Sequence, residues 1–302
     1  MPDPLRQTLS ATETPGLFGV SPYVTRWMLF QKFAKGVDLN KEPDARMTWG
    51  TRMQPLVLAQ AAEDLRLEVR PNDESYHRRG QLGATRDATI VCPDRGPGAL
   101  ETKCVFDYAV WGRDWDGGKS PPRHYEVQLQ QQMLVGDESG SYRWGVLGAW
   151  VCGEMHYFER EPIPDLWAEL EQAAARFFDD VKNGREPNAF GSEIELPLMQ
   201  ELFKVASGRV LDMRNDPAAE ACVQDVADYL INGTAKNFHE KEHKRLKAKL
   251  MAVMDGADTL LLPKGVSLKC TRTNRSGFTM PPTTAVILKG YMPGMLKPQT
   301  AE

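Results

Sequence analysis

One stretch constrains this chain more than any other: Ala84-Thr85-Arg86-Asp87-Ala88-Thr89-Ile90-Val91, then Pro93-Asp94-Arg95-Gly96-Pro97-Gly98, then Ala99-Leu100-Glu101-Thr102-Lys103-Cys104-Val105. Two apolar runs joined by a Gly- and Pro-rich turn read as adjacent strands. Charged side chains rarely enter such runs unless they are paired or ligate a metal. Faces alternate along a strand, so Glu101 and Lys103 point one way and Thr102 and Cys104 the other. Asp87 in the first strand and Glu101 and Lys103 in the second then bring two carboxylates and one ammonium to a sheet edge.

That set suits magnesium-dependent phosphodiester chemistry. Magnesium takes one or two protein carboxylates and leaves room for water and phosphate. It lowers the pKa of bound water and polarises the phosphoryl oxygen. A neighbouring lysine can hold the attacking water or offset charge on the phosphate. Read alone, the same residues fit equally well a surface hairpin with an ordinary Glu–Lys pair.

Composition removes other classes. At 302 residues the chain can bury one large core or two small ones, and 41% hydrophobic with 26% charged residues is ordinary for a soluble globular protein. The cysteines at 92, 104, 152, 222 and 270 include no Cys-Xaa-Xaa-Cys pair, which argues against a zinc ribbon, an iron–sulfur cluster or a disulfide framework. No His-Glu-Xaa-Xaa-His helix and no Walker-type loop is present. A net charge of −4 means that any DNA contact needs a local basic channel rather than a basic body. No apolar run approaches the roughly 20 residues that span a bilayer. The start, Met1-Pro2-Asp3-Pro4, is not a signal peptide, so the expected location is intracellular with no membrane partner.

Along the chain, residues 9–19 predict a short helix with Thr12 as N-cap and Gly19 as stop. Helices are expected from Ser21-Pro22 to about 33 and over about 47–65, the latter with Met47, Gly50, Gln54, Val57 and Ala61 on one face. A polar Gln54 on that face reads as a half-exposed boundary position unless other evidence gives it a role. Strands are expected at 67–70, 76–79, 83–91 and 100–105, followed by a loop-like 106–123. Then come a helix over 124–135 with Tyr125, Gln128 and Gln132 along one side, strands at 143–151 and 155–159, and an amphipathic helix over 164–183. The order predicts an α/β sandwich built on a mixed sheet. Beyond Gly184 the chain turns helical and charged over 217–255, including the basic run Glu240–Lys249, before short strands near 259–262, 266–270 and 284–288. Interspersed glutamates favour a solvated helix face or a helical pair over a DNA channel for that run.

In this order the pieces resemble the lambda-exonuclease and YqaJ-like viral recombinase family of the PD-(D/E)XK nucleases. The resemblance covers roughly residues 5–185. It rests on Ser10-Ala11-Thr12-Glu13 with Leu17-Phe18-Gly19-Val20-Ser21-Pro22-Tyr23, on Trp49-Gly50-Thr51-Arg52-Met53-Gln54-Pro55, on Asp87, on Glu101-Thr102-Lys103 and on Tyr125-Glu126-Val127-Gln128. It implies an α/β (α+β) nuclease core with a central mixed β-sheet flanked by helices over 1–190, and a helical and short-strand extension over 191–302. It further implies that Asp87, Glu101 and the Thr102 carbonyl hold Mg2+, for which Mn2+ can substitute. Lys103 would be the catalytic lysine, Gln128 the active-site glutamine supported by Tyr125, and Thr12 and Arg6 ligands of a terminal 5′-phosphate. For Thr12 a plain helix cap is an equal reading, and a helix N-terminus is itself an anion site.

Two positions depart from the family pattern. Arg86 stands where the family has Pro, a change expected to be harmless. Gln54 stands where the family has a metal-binding Glu, which keeps the shape and loses the charge, so magnesium affinity should fall. A tolerated natural variant, a naturally impaired chain and an engineered DNA-trapping variant all fit that residue. The implied activity is a Mg2+-dependent 5′→3′ exonuclease that degrades one strand of linear double-stranded DNA in phage-type recombination. The resemblance also implies a homotrimer, a single-strand annealing protein as partner, and work in the cytoplasm of a bacterial host from a phage or prophage gene. The rivals are an inactive DNA-end-binding protein, a PD-(D/E)XK endonuclease and a structural phage protein.

Overall fold

The computed structural model describes residues 8–40, 42–72, 75–107, 111, 120–234, 240–275 and 283–291. The chain divides into two compact units, Met1–Glu186 and Pro187–Glu302.

The first unit opens with β1 (Leu9–Ser10) and a 3-10 turn (Thr14–Phe18) where one capped helix was expected. Leu9 is fully buried and pairs in parallel with Leu82, and Pro15 and Gly16 break any α-helical run. Thr12 is therefore no N-cap: Glu13 holds that position, and its carboxylate accepts the Ser10 amide at 3.0 Å. Gly19 does end the turn, at φ 67. Helix α1 (Arg26–Lys35) begins four residues later than expected, because the Ser21 hydroxyl accepts the Tyr23 and Val24 amides in a local turn. Thr25 caps the helix instead, accepting the Met28 amide at 3.3 Å.

Helix α2 (Ala45–Leu65) starts at Asp44, which accepts the Met47 amide at 2.8 Å. Its second half buries Val57, Leu58 and Ala61, while Met47 and Trp49 in its first half, and Leu56 just past its middle, are exposed. Next come β2 (Glu68–Pro71), β3 (His77–Arg79), β4 (Leu82–Ala84), β5 (Ala88–Cys92) and β6 (Gly96–Val105). The strand expected over 83–91 is thus broken at 85–87. Its halves serve different sheets, since β4 lies between β1 and β3 while β5 lies between β2 and β6.

Helix α3 (Arg123–Val135), β7 (Gly145–Val151), β8 (Glu154–Arg160) and α4 (Pro164–Lys182) complete the unit. The main sheet runs β2-β5-β6-β7-β8, mixed because β6 and β7 are parallel and the other pairs antiparallel. Side-chain parity decides its two faces. Ala99, Leu147, Ala149 and Val151 pack with Leu129 and Met133 of α3, whereas Ile90, Leu100 and Val146 pack with Leu58 and Ala61 of α2. A further core joins α1 and α4 to the small sheet through Leu29, Phe30, Phe177 and Leu82. Most of the expected loop at 106–123, 112–119 included, lies outside the described residues, but Trp111 is buried against Tyr125 and Phe158.

The second unit contains α5 (Leu196–Leu202), β9 (Val210–Asp212), α6 (Ala219–Thr234), α7 (Glu240–Met254), β10 (Thr259–Leu261), β11 (Ser267–Arg275) and β12 (Thr283–Tyr291). Its strands form one sheet in the order β12-β11-β10-β9. Within the basic run, Arg245 pairs with Glu242 and Lys249 reaches Asp225 of α6 at 2.7 Å. Among the described residues of both units, no helix is long and apolar enough to cross a membrane.

Candidate active site

Strand β5 stops pairing at Ala88, opposite Leu100, so the edge of β6 beyond Leu100 is free of it. Carried one residue further, that register sets Asp87 against Glu101. Asp87 caps the opened edge: its Oδ2 accepts both the Thr102 amide and the Thr102 hydroxyl at 2.7 Å. Parity sends Glu101 and Lys103 towards α3, and Thr102 and Cys104 towards α2.

Glu101 is 2% exposed and all its visible partners are donors. Lys103 Nζ and Gln128 Nε2 (2.5 Å) donate to Oε1, and Gln132 Nε2 (2.5 Å) donates to Oε2. Gln128 and Gln132 lie one turn apart on α3, which lets one helix face grip both oxygens. Burial first, and then the charge of Asp87, push the Glu101 carboxyl up to about 7 against the pull of Lys103 and Gln132. Burial alone would lower the Lys103 ammonium, but attraction to Glu101 and Asp87 outweighs it and the net direction is upward. Lys103 Nζ also lies 5.0 Å from the Tyr125 ring centre. Burial, followed by the nearby Tyr23 phenol, raises Tyr125 well above the usual phenol range.

On the α2 side, Gln54, Leu58, Ala62, Val69, Asn72 and Asp87 are among the residues lining a cavity of about 470 Å³. Gln54 is half-buried there and shares the cavity with Asp87. The structure thus gathers Asp87, Glu101, Thr102, Lys103, Gln128 and Tyr125 about one sheet edge, with Gln54 in the adjoining cavity. It does not bring Thr12 into that cluster; the Thr12 hydroxyl sits on an exposed turn, 3.1 Å from the Ser10 hydroxyl. The five-residue 3-10 turn that follows supplies no helical anion site of the kind expected. Arg6 lies outside the described residues.

The donor set fits a hard divalent cation. Two carboxylates are close enough for the charge of one to raise the pKa of the other, a repulsion that a cation would relieve. The donors available are oxygens, from Asp87, Glu101, the Thr102 carbonyl and the Gln54 amide, the class that magnesium prefers. Among the described residues no group of three or more His, Cys, Asp or Glu side chains could hold a metal.

Comparison with known proteins adds to this geometry. Residues 5–139 match the YqaJ-like viral recombinase domain. That match covers less than half of the 302-residue chain. An alkaline exonuclease from Laribacter hongkongensis superposes with a TM-score of 0.47 at 17% identity, over 66% of this chain and 95% of its own. A phage related exonuclease from Haemophilus somnus 129PT gives a TM-score of 0.45 at 12% identity, over 59% of this chain and 96% of its own. No curated protein matches the chain.

Within the matched stretch, three residues do more than their sequence positions foretold. Arg86, expected to be harmless, ties β5 to the turn after α3. It donates to the Thr89 hydroxyl at 2.9 Å, lies 3.9 Å from Asp137 and covers the Tyr142 ring at 5.2 Å. Tyr23, 52% exposed, hydrogen-bonds Tyr125 at the rim of the cluster, a role that its place in the Leu17–Tyr23 motif does not foretell. Gln132 was placed beside Gln128 without a role. The run Gln128, Gln130, Gln131 and Gln132 was the available signal, because buried amides need partners and all four are buried.

Proposed function

We propose that the chain is a Mg2+-dependent 5′→3′ exonuclease that degrades one strand of linear double-stranded DNA during phage-type recombination, with Mn2+ able to replace Mg2+. The observation that carries this reading is the meeting of Asp87, Glu101 and Lys103 at the open edge of β6. The viral recombinase match and the exonuclease names of the structural neighbours are in keeping with it.

In this reading Asp87 and Glu101 hold the cation, assisted by the Thr102 carbonyl and the Gln54 amide. When bound, the cation supplies charge stabilisation at the phosphate and a more acidic water. Lys103, its ammonium fixed against Glu101, directs a donor at the attacking water or the developing phosphate charge. Gln128 keeps Glu101 oriented. A water oxygen forms the new bond to phosphorus, the bond from phosphorus to the 3′-oxygen of the terminal nucleotide breaks, and the water proton ends on that oxygen. A mononucleotide leaves. On the resemblance alone, and not on the geometry, Thr12 and Arg6 are proposed as ligands of the terminal 5′-phosphate, and the chain as a homotrimer working with a single-strand annealing protein.

The test uses linear duplex with a fluorophore on the base of either the 5′-terminal or the 3′-terminal nucleotide of one strand, leaving the 5′ end itself free. Early release of a labelled mononucleotide from the 5′ end, faster on 5′-phosphorylated than 5′-hydroxyl DNA, is the expected result. Early release from the 3′ end rejects the polarity, and defined internal fragments mark an endonuclease. Gln54 favours one second reading, a DNA-end-binding protein without catalysis, whose signature is tight end binding and intact DNA at saturating Mg2+ and Mn2+.

A further inference from the structure

Helix α3 presents to Glu101 one more amide than the proposed chemistry uses. Gln132 is 1% exposed, and its single NH2 group serves two acceptors from different segments. One is Glu101 Oε2 at 2.5 Å; the other is the Thr85 carbonyl at 3.1 Å, two residues before Asp87 in the connector that breaks the expected strand. The Thr85 carbonyl is an acceptor only, as is the ionised Glu101 carboxylate, so the NH2 side of the amide faces them. The opposite atom, Oε1, is buried with no hydrogen-bond partner. A buried polar atom left unpaired costs free energy that an apolar side chain of the same size would avoid.

We propose that Gln132 is a positioning residue that fixes the Glu101 carboxylate relative to the connector carrying Asp87. Gln128 and Lys103 hold Oε1 from the other side, so Gln132 closes the grip on the carboxylate plane. It also joins Glu101 to the backbone of the connector that carries Asp87, where β5 has already stopped pairing with β6. Its neighbour Gln131 shows the purely structural alternative: the same NH2 geometry spans the Leu9 and Gly83 carbonyls at 3.0 Å, joining β1 to β4 away from any carboxylate. The inference rests on the reading that Asp87 and Glu101 hold a divalent cation.

The test measures Mn2+ binding by the loss of the free-ion electron paramagnetic resonance signal, on the full chain, beside the melting temperature and nucleotide release. Gln132→Met keeps length and removes the donor; it should weaken Mn2+ by about 10- to 100-fold, as loss of a partner that orients a metal ligand does. The kcat for nucleotide release should fall while KM for DNA ends holds. Gln132→Asn keeps an amide one methylene too short to reach both acceptors and should fall between the two. Gln131→Met should lower the melting temperature and leave Mn2+ affinity alone. Mn2+ affinity within about twofold of wild type in Gln132→Met overturns the inference, since an orienting partner is worth tenfold or more. The same result in Gln132→Asn overturns it should the Met variant not fold. Wild-type protein that binds no Mn2+ at millimolar concentration also overturns it. If Gln132→Met weakens Mn2+ but neither protein degrades DNA, the inference stands and the nuclease reading falls.

Discussion

Raising the pH of the metal-free protein from 5 to 8 should destabilise its first unit. Glu101 ionises at about 7 in the folded chain against 4.5 ordinarily, because it is buried beside Asp87. The folded state therefore binds the Glu101 proton more tightly than the unfolded state. The resulting stabilisation is fully present below pH 4.5 and is lost as the pH rises through 7. That difference corresponds to about 3 kcal/mol, a large share of a domain's net stability. Carboxylates held low, such as Glu159 through its hydrogen bonds to Arg95, have their contribution in place by pH 5 and do not mask the slope. The assay is urea unfolding in EDTA followed by tryptophan fluorescence. All seven tryptophans precede residue 187, so the signal reports the first unit. Mg2+ at a hundred times its dissociation constant should return about 2.7 kcal/mol at pH 8. Asp87→Asn should flatten part of the slope and leave the part due to burial. Stability that is flat or rises between pH 5 and 8 in EDTA would refute the buried, charge-repelled Glu101 on which the site depends.

Other consequences follow from the same contacts. Lys103→Met should lower kcat for nucleotide release by roughly 100- to 10,000-fold with little change in KM for DNA, checked by steady-state kinetics. Gln54→Glu places a third acid in the cavity with Asp87 and should tighten Mg2+ by about tenfold in calorimetry, while lowering the metal-free melting temperature through like-charge repulsion. Leu100→Ala empties a fully buried position between α2 and the main sheet and should cost about 2–5 kcal/mol, read as a lower urea midpoint at unchanged slope.

Much of this fold is legible in the sequence wherever periodicity and capping agree. Helix α2, expected over 47–65, begins two residues earlier because Asp44 caps it, and α4 and α3 end within a residue of expectation. The N-terminal helix was misread because a hydroxyl before Pro15-Gly16 looks like a cap, whereas Leu9 is drawn into a parallel pair with β4, a contact 73 positions away in the chain. The break at Thr85-Arg86-Asp87 left no local mark either, since no Gly or Pro interrupts that run. It is the break, and not a continuous strand, that frees the Asp87 carboxylate to meet Thr102. Asp87, Glu101, Lys103 and Gln128 were legible because they stand in recognisable patterns. Gln132 was not, because its two partners come from β6 and from the connector before β5.

The most direct test of the central claim is nucleotide release from linear duplex DNA with Mg2+ by the wild-type chain, Asp87→Asn and Glu101→Gln, each repeated in EDTA. The account predicts mononucleotides from the wild type with Mg2+ alone, and a loss of at least about 100-fold in either variant. Undiminished release in EDTA, or from either variant, would contradict it.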